Sequence, residues 1–238
     1  MKALSNAVSN RGGENPSSAR LTSCTSPEVL GSSAENSQTG VSSDFVPDGK
    51  RQWFVLRATY GRAEKAFGIF QEANIVAYFP KRDVVKIVDG KRIIVSEPLL
   101  PNIVFAYMTR EMSRKFLKEP APTASWIKYY TDKTKTLEND THYHPPMIVP
   151  DNDMLNFIRL TSINNEHITV VDPERCHFKS GDLVKVVEGL FAGVIGRVGR
   201  AAGQQRVIVE IQGLCHVATA YIPSAFIRKS LIPQDDYK

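Results

Sequence analysis

Residues 51–75 read RQWFVLRATYGRAEKAFGIFQEANI, and the two halves of this stretch follow different periodicities. Trp53 to Ala58 opens with aromatic and β-branched residues, the composition of a strand. Gly61 breaks the run, and Arg62 to Ala73 then sets Ala66, Phe67, Ile69, Phe70 and Ala73 at helical spacing. A strand that turns straight into an amphipathic helix sets an expectation of mixed α and β structure.

Downstream, Ala77 to Pro80 is a short extended piece, followed by VVKIVDGKRIIV at 84–95. There Asp89-Gly90 lies between two apolar runs, a strong hairpin signal because glycine accepts the positive φ of a tight turn. Next, EPLLPNIVFAYM (97–108) predicts a strand from Asn102 to Met108, and residues 110–118 read as a helix ended by Pro120 and Pro122. SWIKYY at 125–130 predicts another strand, followed by a polar excursion through His144. IVPDNDMLNFIRL (148–160) places Asp151 as a helix N-cap after Pro150, with Met154, Leu155 and Ile158 on one face. Residues 51–163 thus read β-α-β-β-β-α-β-α, an α+β domain.

Residues 164–177 are acidic and irregular, and predict a linker. From 178 to 238 short strands follow at Leu183–Val187, Val194–Val198, Arg206–Gln212, Cys215–Ile222 and Phe226–Arg228, a pattern that predicts a small all-β barrel. Between the first two lies EGLFAGVIGRV (188–198), whose glycines raise the question of a phosphate loop. No Lys-Ser or Lys-Thr pair follows, and the succeeding residues are strand formers. Gly189 and Gly193 are expected to turn the chain, and Gly196 to permit close packing within a strand.

Composition sets the class. The chain has 238 residues, 42% hydrophobic and 23% charged, and net charge +5. The excess is concentrated in 51–150, with 16 basic against 10 acidic residues, which favours an anionic partner such as nucleic acid. Residues 1–50 are Ser-rich and poor in large apolar residues, and are expected to be disordered. No apolar run is long enough to span a bilayer and no signal peptide opens the chain, so a cytoplasmic setting without membrane contact is expected. Cys24, Cys176 and Cys215 are too scattered for a disulfide framework. Neither they nor His142 and His144 have the spacing of metal ligands, and no nucleophile–base pair stands out. The expectation is a non-enzyme with no cofactor, no metal and no catalytic residue.

This order of parts resembles the NusG family of transcription elongation factors. QWFVLRATYGRAEKAF is similar to the family's first strand and helix, SEPLLPNIVFAYM to its Phe-Pro-Gly-Tyr strand, and IVPDNDMLNFI to its closing helix. GDLVKVVEGLFAGVIGRV resembles its KOW module. The resemblance implies a NusG N-terminal-like α+β domain with an antiparallel sheet and flanking helices, joined to a C-terminal KOW barrel. Where housekeeping members have Pro-Gly-Tyr, this chain has Pro101-Asn102-Ile103, and that place with the Ser-rich tail is similar to specialised UpxY-type antiterminators of capsular polysaccharide operons.

The same resemblance implies partners and site residues. RNA polymerase would be gripped at its clamp coiled coil by an exposed apolar groove of Val55, Leu100, Ile103, Phe105, Trp126 and Tyr129. Ser113, Arg114 and Lys115 stand nearest to the family's second polymerase contact. Arg62 and Lys65, on one helix face, would meet non-template or upstream DNA. Leu190, Phe191 and Ala192 of the KOW loop would take a ribosomal protein or a termination factor. A monomer is expected. A general NusG-like elongation factor, a ribosomal-type RNA-binding KOW protein and an inert scaffold are the alternative readings.

Overall fold

In the computed structural model, residues 46–118, 120–136, 143–163, 168–171, 177–201 and 203–230 are described, all within one unit, Glu35–Lys238. The expected disorder of 1–50 falls almost wholly outside them, as do Cys24, Cys176 and His142. At the first described residues the chain is already fastened. The Asp48 backbone N–H donates to Tyr107 Oη at 2.9 Å, and Tyr107 returns its hydroxyl proton to Asp48 Oδ1 at 2.9 Å.

The opening stretch folds as its periodicity dictates, into β1 (Gln52–Ala58) and α1 (Ala63–Glu72). β2 (Val76–Tyr78) follows, then the hairpin β3 (Lys81–Val88) and β4 (Lys91–Pro98), then β5 (Ile103–Met108) and α2 (Arg110–Leu117). The first half closes with β6 (Ile127–Tyr129), β7 (Ile148–Val149) and α3 (Asp151–Thr161). β1 is central: β5 pairs with it antiparallel along one edge, β2 lies beyond β5, and β6 and β7 share the other edge. Because strand side chains alternate, Trp53 and Val55 enter the core on the α3 side. Phe54 and Leu56 enter the core that carries Ala66 and Phe70 of α1.

Three details differ from the sequence reading. Residues 125–130 are not one strand: a 3₁₀ turn occupies Pro122–Ser125, and only Ile127–Tyr129 pairs. Pro122 favours this outcome, since its fixed φ suits a helical first position. The residue capping α3 is Pro150, with Asp151 already helical. The short β7 carried no readable periodicity in the sequence.

The C-terminal half is all β, with β8 (Thr169–Val171), β9 (His177–Val186), β10 (Ile195–Ala201), β11 (Gln204–Ile211), β12 (Cys215–Ala218) and β13 (Ile227–Lys229). The strand order is β13-β9-β10-β11-β12-β8, an open path in place of the expected closed barrel. β8 comes from the segment expected to be linker and pairs with β12, so part of 164–177 belongs to this sheet.

The glycine stretch turns the chain. Gly189 and Gly193 have φ of +82° and +89°, and a Cβ on Gly196 would lie 2.5 Å from the Ile208 carbonyl oxygen on the neighbouring strand. The core on the α3 side runs on into this sheet, joining Phe105, Phe157 and Met154 to Val186, Val207 and Ile211.

Candidate functional site

The residues expected to meet polymerase fall on the two faces of the first sheet. Val55 and Phe105 are completely buried on the α3 side, where the Phe157 ring lies 5.4 Å from that of Phe105. Leu100 and Ile103 belong to the same core but reach its margin, each 7% exposed. Trp126 and Tyr129 pack on the opposite face with α1 and α2, Tyr129 5.8 Å from Phe54. The arrangement is therefore not a single open groove. The accessible atoms are those of Leu100, Ile103, Trp126 and the half-buried Tyr129 at the rims.

In α2, Ser113 is buried and spent internally. Its Oγ donates to the Arg110 carbonyl at 2.7 Å and is hydrogen-bonded to Tyr129 Oη. Arg114 and Lys115 are exposed one turn from the end of the helix, where cations complement its dipole. Thr109 caps the helix by accepting from the Met112 N–H at 3.1 Å.

Arg62 and Lys65 are exposed and share one surface, as their spacing requires. The Arg62 guanidinium lies 5.7 Å from the centre of Trp126 and the Lys65 ammonium 6.0 Å, so both cations sit against the same indole ring. The loop before them is built from unusual backbone. Tyr60, Gly61 and Asn102 all have positive φ, +59°, +68° and +62°. Asn102 ties the loop down, its carbonyl accepting from the Ala58 N–H at 2.9 Å and its Oδ1 from the Gly61 N–H at 3.2 Å. Tyr60, missed in the sequence reading, is 85% exposed; its signal was an aromatic residue directly before a loop glycine.

In the second half, Leu190 is 62% exposed and Ala192 is also on the surface. Phe191 is 6% exposed and caps the core, so the loop presents Leu190 and Ala192 rather than an aromatic side chain. This half rests on α3: Arg159 Nη1 donates to the Gly193 carbonyl at 2.9 Å, and Asn156 Oδ1 accepts from the Ile195 N–H at 3.3 Å. Between α3 and the sheet is a cavity of about 350 Å³, lined by Asp153, Asn156, Leu183, Ile195, Arg197 and Glu210, among others. Burial, and then the charge of Glu210, pushes the Asp153 carboxyl up to about 6. Glu210 is held down, first by its hydrogen bond with His216, 3.3 Å away.

Among the described residues no cluster of His, Cys, Asp and Glu could hold a metal ion, and no helix is long and apolar enough to cross a membrane. Cys215 is buried, and burial pushes its thiol up to about 12, which disfavours the thiolate.

Comparison with known proteins finds a likeness over the first half. Residues 51–158 match the sequence model described as transcription termination factor nusG. Among solved structures the chain matches one reported under domain interaction in Thermotoga maritima NusG, at 19% identity. That match covers 76% of this chain and 98% of the other, with a TM-score of 0.36. A search of curated proteins found no match.

Proposed function

We propose, from the match of residues 51–158 to the NusG sequence model, that this protein is a NusG-like, operon-specific transcription antiterminator, not an enzyme, that binds RNA polymerase and promotes processive elongation of a polysaccharide biosynthesis operon. The family match over the first sheet and its helices carries this reading. The place of Asn102 supports the specialised assignment. Its left-handed backbone is the conformation glycine adopts freely, and here the Asn side chain serves a hydrogen bond that glycine could not make.

On this reading the clamp coiled coil of polymerase docks on the rims formed by Leu100, Ile103, Trp126 and Tyr129, with Val55 and Phe105 as the packed support beneath. Arg114 and Lys115 supply the second polymerase contact, while Ser113 stays internal. Arg62 and Lys65 meet phosphates of the non-template strand or upstream duplex. The C-terminal sheet acts as the KOW module, and offers Leu190 and Ala192, backed by Phe191, to a ribosomal protein or termination factor. The protein works in the cytoplasm as a monomer.

The test is retention of RNA polymerase by the full chain, with read-through of a terminator placed behind its own operon's leader. The wild type should retain polymerase and raise read-through on that leader alone. Leu100→Ala with Trp126→Ala should weaken retention at least tenfold, since an interface anchor is worth about 2 kcal/mol or more. A melting curve shows whether that variant is folded. A wild type that retains no polymerase would sink the proposal, and equal read-through on unrelated leaders would reduce it to a general elongation factor.

A further inference from the structure

The packing that joins α3 to the C-terminal sheet leaves one place unfilled. The cavity there, of about 350 Å³, falls within the range of about 300–1,000 Å³ that holds small molecules. Its walls are built from ordered parts. Asn156 is 5% exposed, and its Oδ1 accepts from the Ile195 N–H at 3.3 Å, which ties helix to strand beside the space. Leu183, Ile195 and the fully buried Ile208 supply an apolar wall. An apolar lining with a few fixed polar groups is the usual make-up of a ligand site.

The charges around this space do not balance. Glu210 has its own partners: His216 Nε2 stands 3.3 Å from its Oε1, and Arg197 also helps to hold its carboxyl down. Asp153, on the α3 side, is differently placed. Among the described residues no ion pair includes it, and both influences on its carboxyl, burial and then Glu210, push it up. A carboxylate withdrawn from water beside a like charge is costly until a proton or a cation meets it. A metal ion does not fit the need. Among the described residues no group of His, Cys, Asp and Glu could hold one, and the Arg197 guanidinium stands in the same wall. An anion would face both carboxylates. A monovalent organic cation fits, with one charge for the one unmatched carboxylate and an uncharged stem for the apolar wall.

We propose that this cavity is a binding site for a small aliphatic amine, its ammonium group against Asp153 and its uncharged stem along Leu183, Ile195 and Ile208. An ammonium is a compact point charge and needs no paired, planar acceptors, so a single carboxylate suffices for it. The bound amine touches α3 and the strands of the second half at once, and therefore strengthens the junction between them. The site uses none of the residues assigned to polymerase or DNA, and it stands whether or not that assignment does.

The test titrates the full chain, labelled at its isoleucine methyl groups, with n-pentylamine at neutral pH and follows it by NMR. The Ile195 and Ile208 signals should shift and saturate, while those of Ile87 and Ile94 on the exposed hairpin stay in place. The uncharged n-pentanol, and magnesium chloride at equal ionic strength, should each bind at least tenfold more weakly. Asp153→Asn should bind the amine at least tenfold more weakly, the loss of one charged partner at a half-buried site. It should stay folded, because an unmatched carboxylate is removed, and a melting curve checks this. Glu111→Gln, which removes an exposed carboxylate of α2, should bind like the wild type. Asp153→Asn binding the amine as tightly as the wild type would overturn the proposal, as would pentanol matching the amine. Magnesium binding more tightly than the amine would make this a metal site and overturn it too. So would unmoved Ile195 and Ile208 signals, the result expected of a space that holds only water.

Discussion

Asn102 shows how one side chain can fix the geometry of a neighbouring loop. Its backbone is left-handed, its carbonyl serves Ala58 and its Oδ1 serves Gly61, so it locks the end of β1 to the start of β5. Asn enters that region at lower cost than other non-glycine residues, and this explains why a position where glycine would serve can hold it. Asn102→Ala should therefore lose both the tolerated conformation and the hydrogen bond, about 1–3 kcal/mol together. Asn102→Gly loses only the hydrogen bond and should cost about 1 kcal/mol or less. Urea denaturation of both variants checks the order, and Asn102→Gly coming out the less stable of the two would contradict it. In the sequence, Asn102 could be recognised only by its place after Pro101; the hydrogen bond to Gly61, 41 residues away in sequence, could not be read there.

Elements set by local chemistry were legible, and those set by distant partners were not. The β3–β4 hairpin follows from Asp89-Gly90, whose φ values of +50° and +75° are those a tight two-residue turn demands. α1 and α2 follow from apolar spacing and α2's end from Pro120, so their bounds shift by a residue or so. Trp126 misled because its aromatic neighbours read as strand, while the Thr59 N–H that its carbonyl accepts lies far away in sequence. The residues expected to meet polymerase were named together, yet the fold sends Val55 and Phe105 to one core and Trp126 and Tyr129 to the other. The hairpin is instructive in a second way. Among the described residues its two strands pair only with each other, and Ile87 and Ile94 are 72% and 73% exposed. Such an element adds little to the global fold. Replacing residues 84–95 by an Asn-Gly turn should leave the melting temperature within about 4 °C, the shift expected for roughly 1 kcal/mol. A larger drop in calorimetry would mean that the hairpin supports the core.

At the scale of the whole molecule, α3 joins the two sheets. Of its residues, Met154, Phe157, Ile158 and Leu160 are buried in one continuous core, and Asn156 and Arg159 hydrogen-bond to the loop and strand around Gly193 and Ile195. An apolar stripe facing one sheet would be narrower, and the spread of DMLNFIRL around the helix was the sequence's sign of a second neighbour. The open strand order of the second half, by contrast, depends on β8 joining β12, which no local pattern announces. Packing the sheet against α3 leaves Asp153 half-buried near Glu210, and that gives the junction a pH dependence. The Asp153 carboxyl rises from an ordinary value of 3.8 to about 6, first through burial and then through the Glu210 charge. Between those values the folded state binds the proton more tightly than the unfolded chain, so stability falls as pH rises through the window. Below it the penalty vanishes, and above about 6 it is complete. Asp153→Asn should therefore raise stability at pH 7 by about 1 kcal/mol, after allowing for solvent screening at a site still partly exposed. At pH 2.5 the variant should match the wild type, because Asp153 is then protonated in both states. The other titratable groups are common to both proteins, so the difference between the two denaturation curves reports on Asp153. A variant that is no more stable at pH 7, or that gains equally at both pH values, would show that the carboxylate carries no such penalty at this junction.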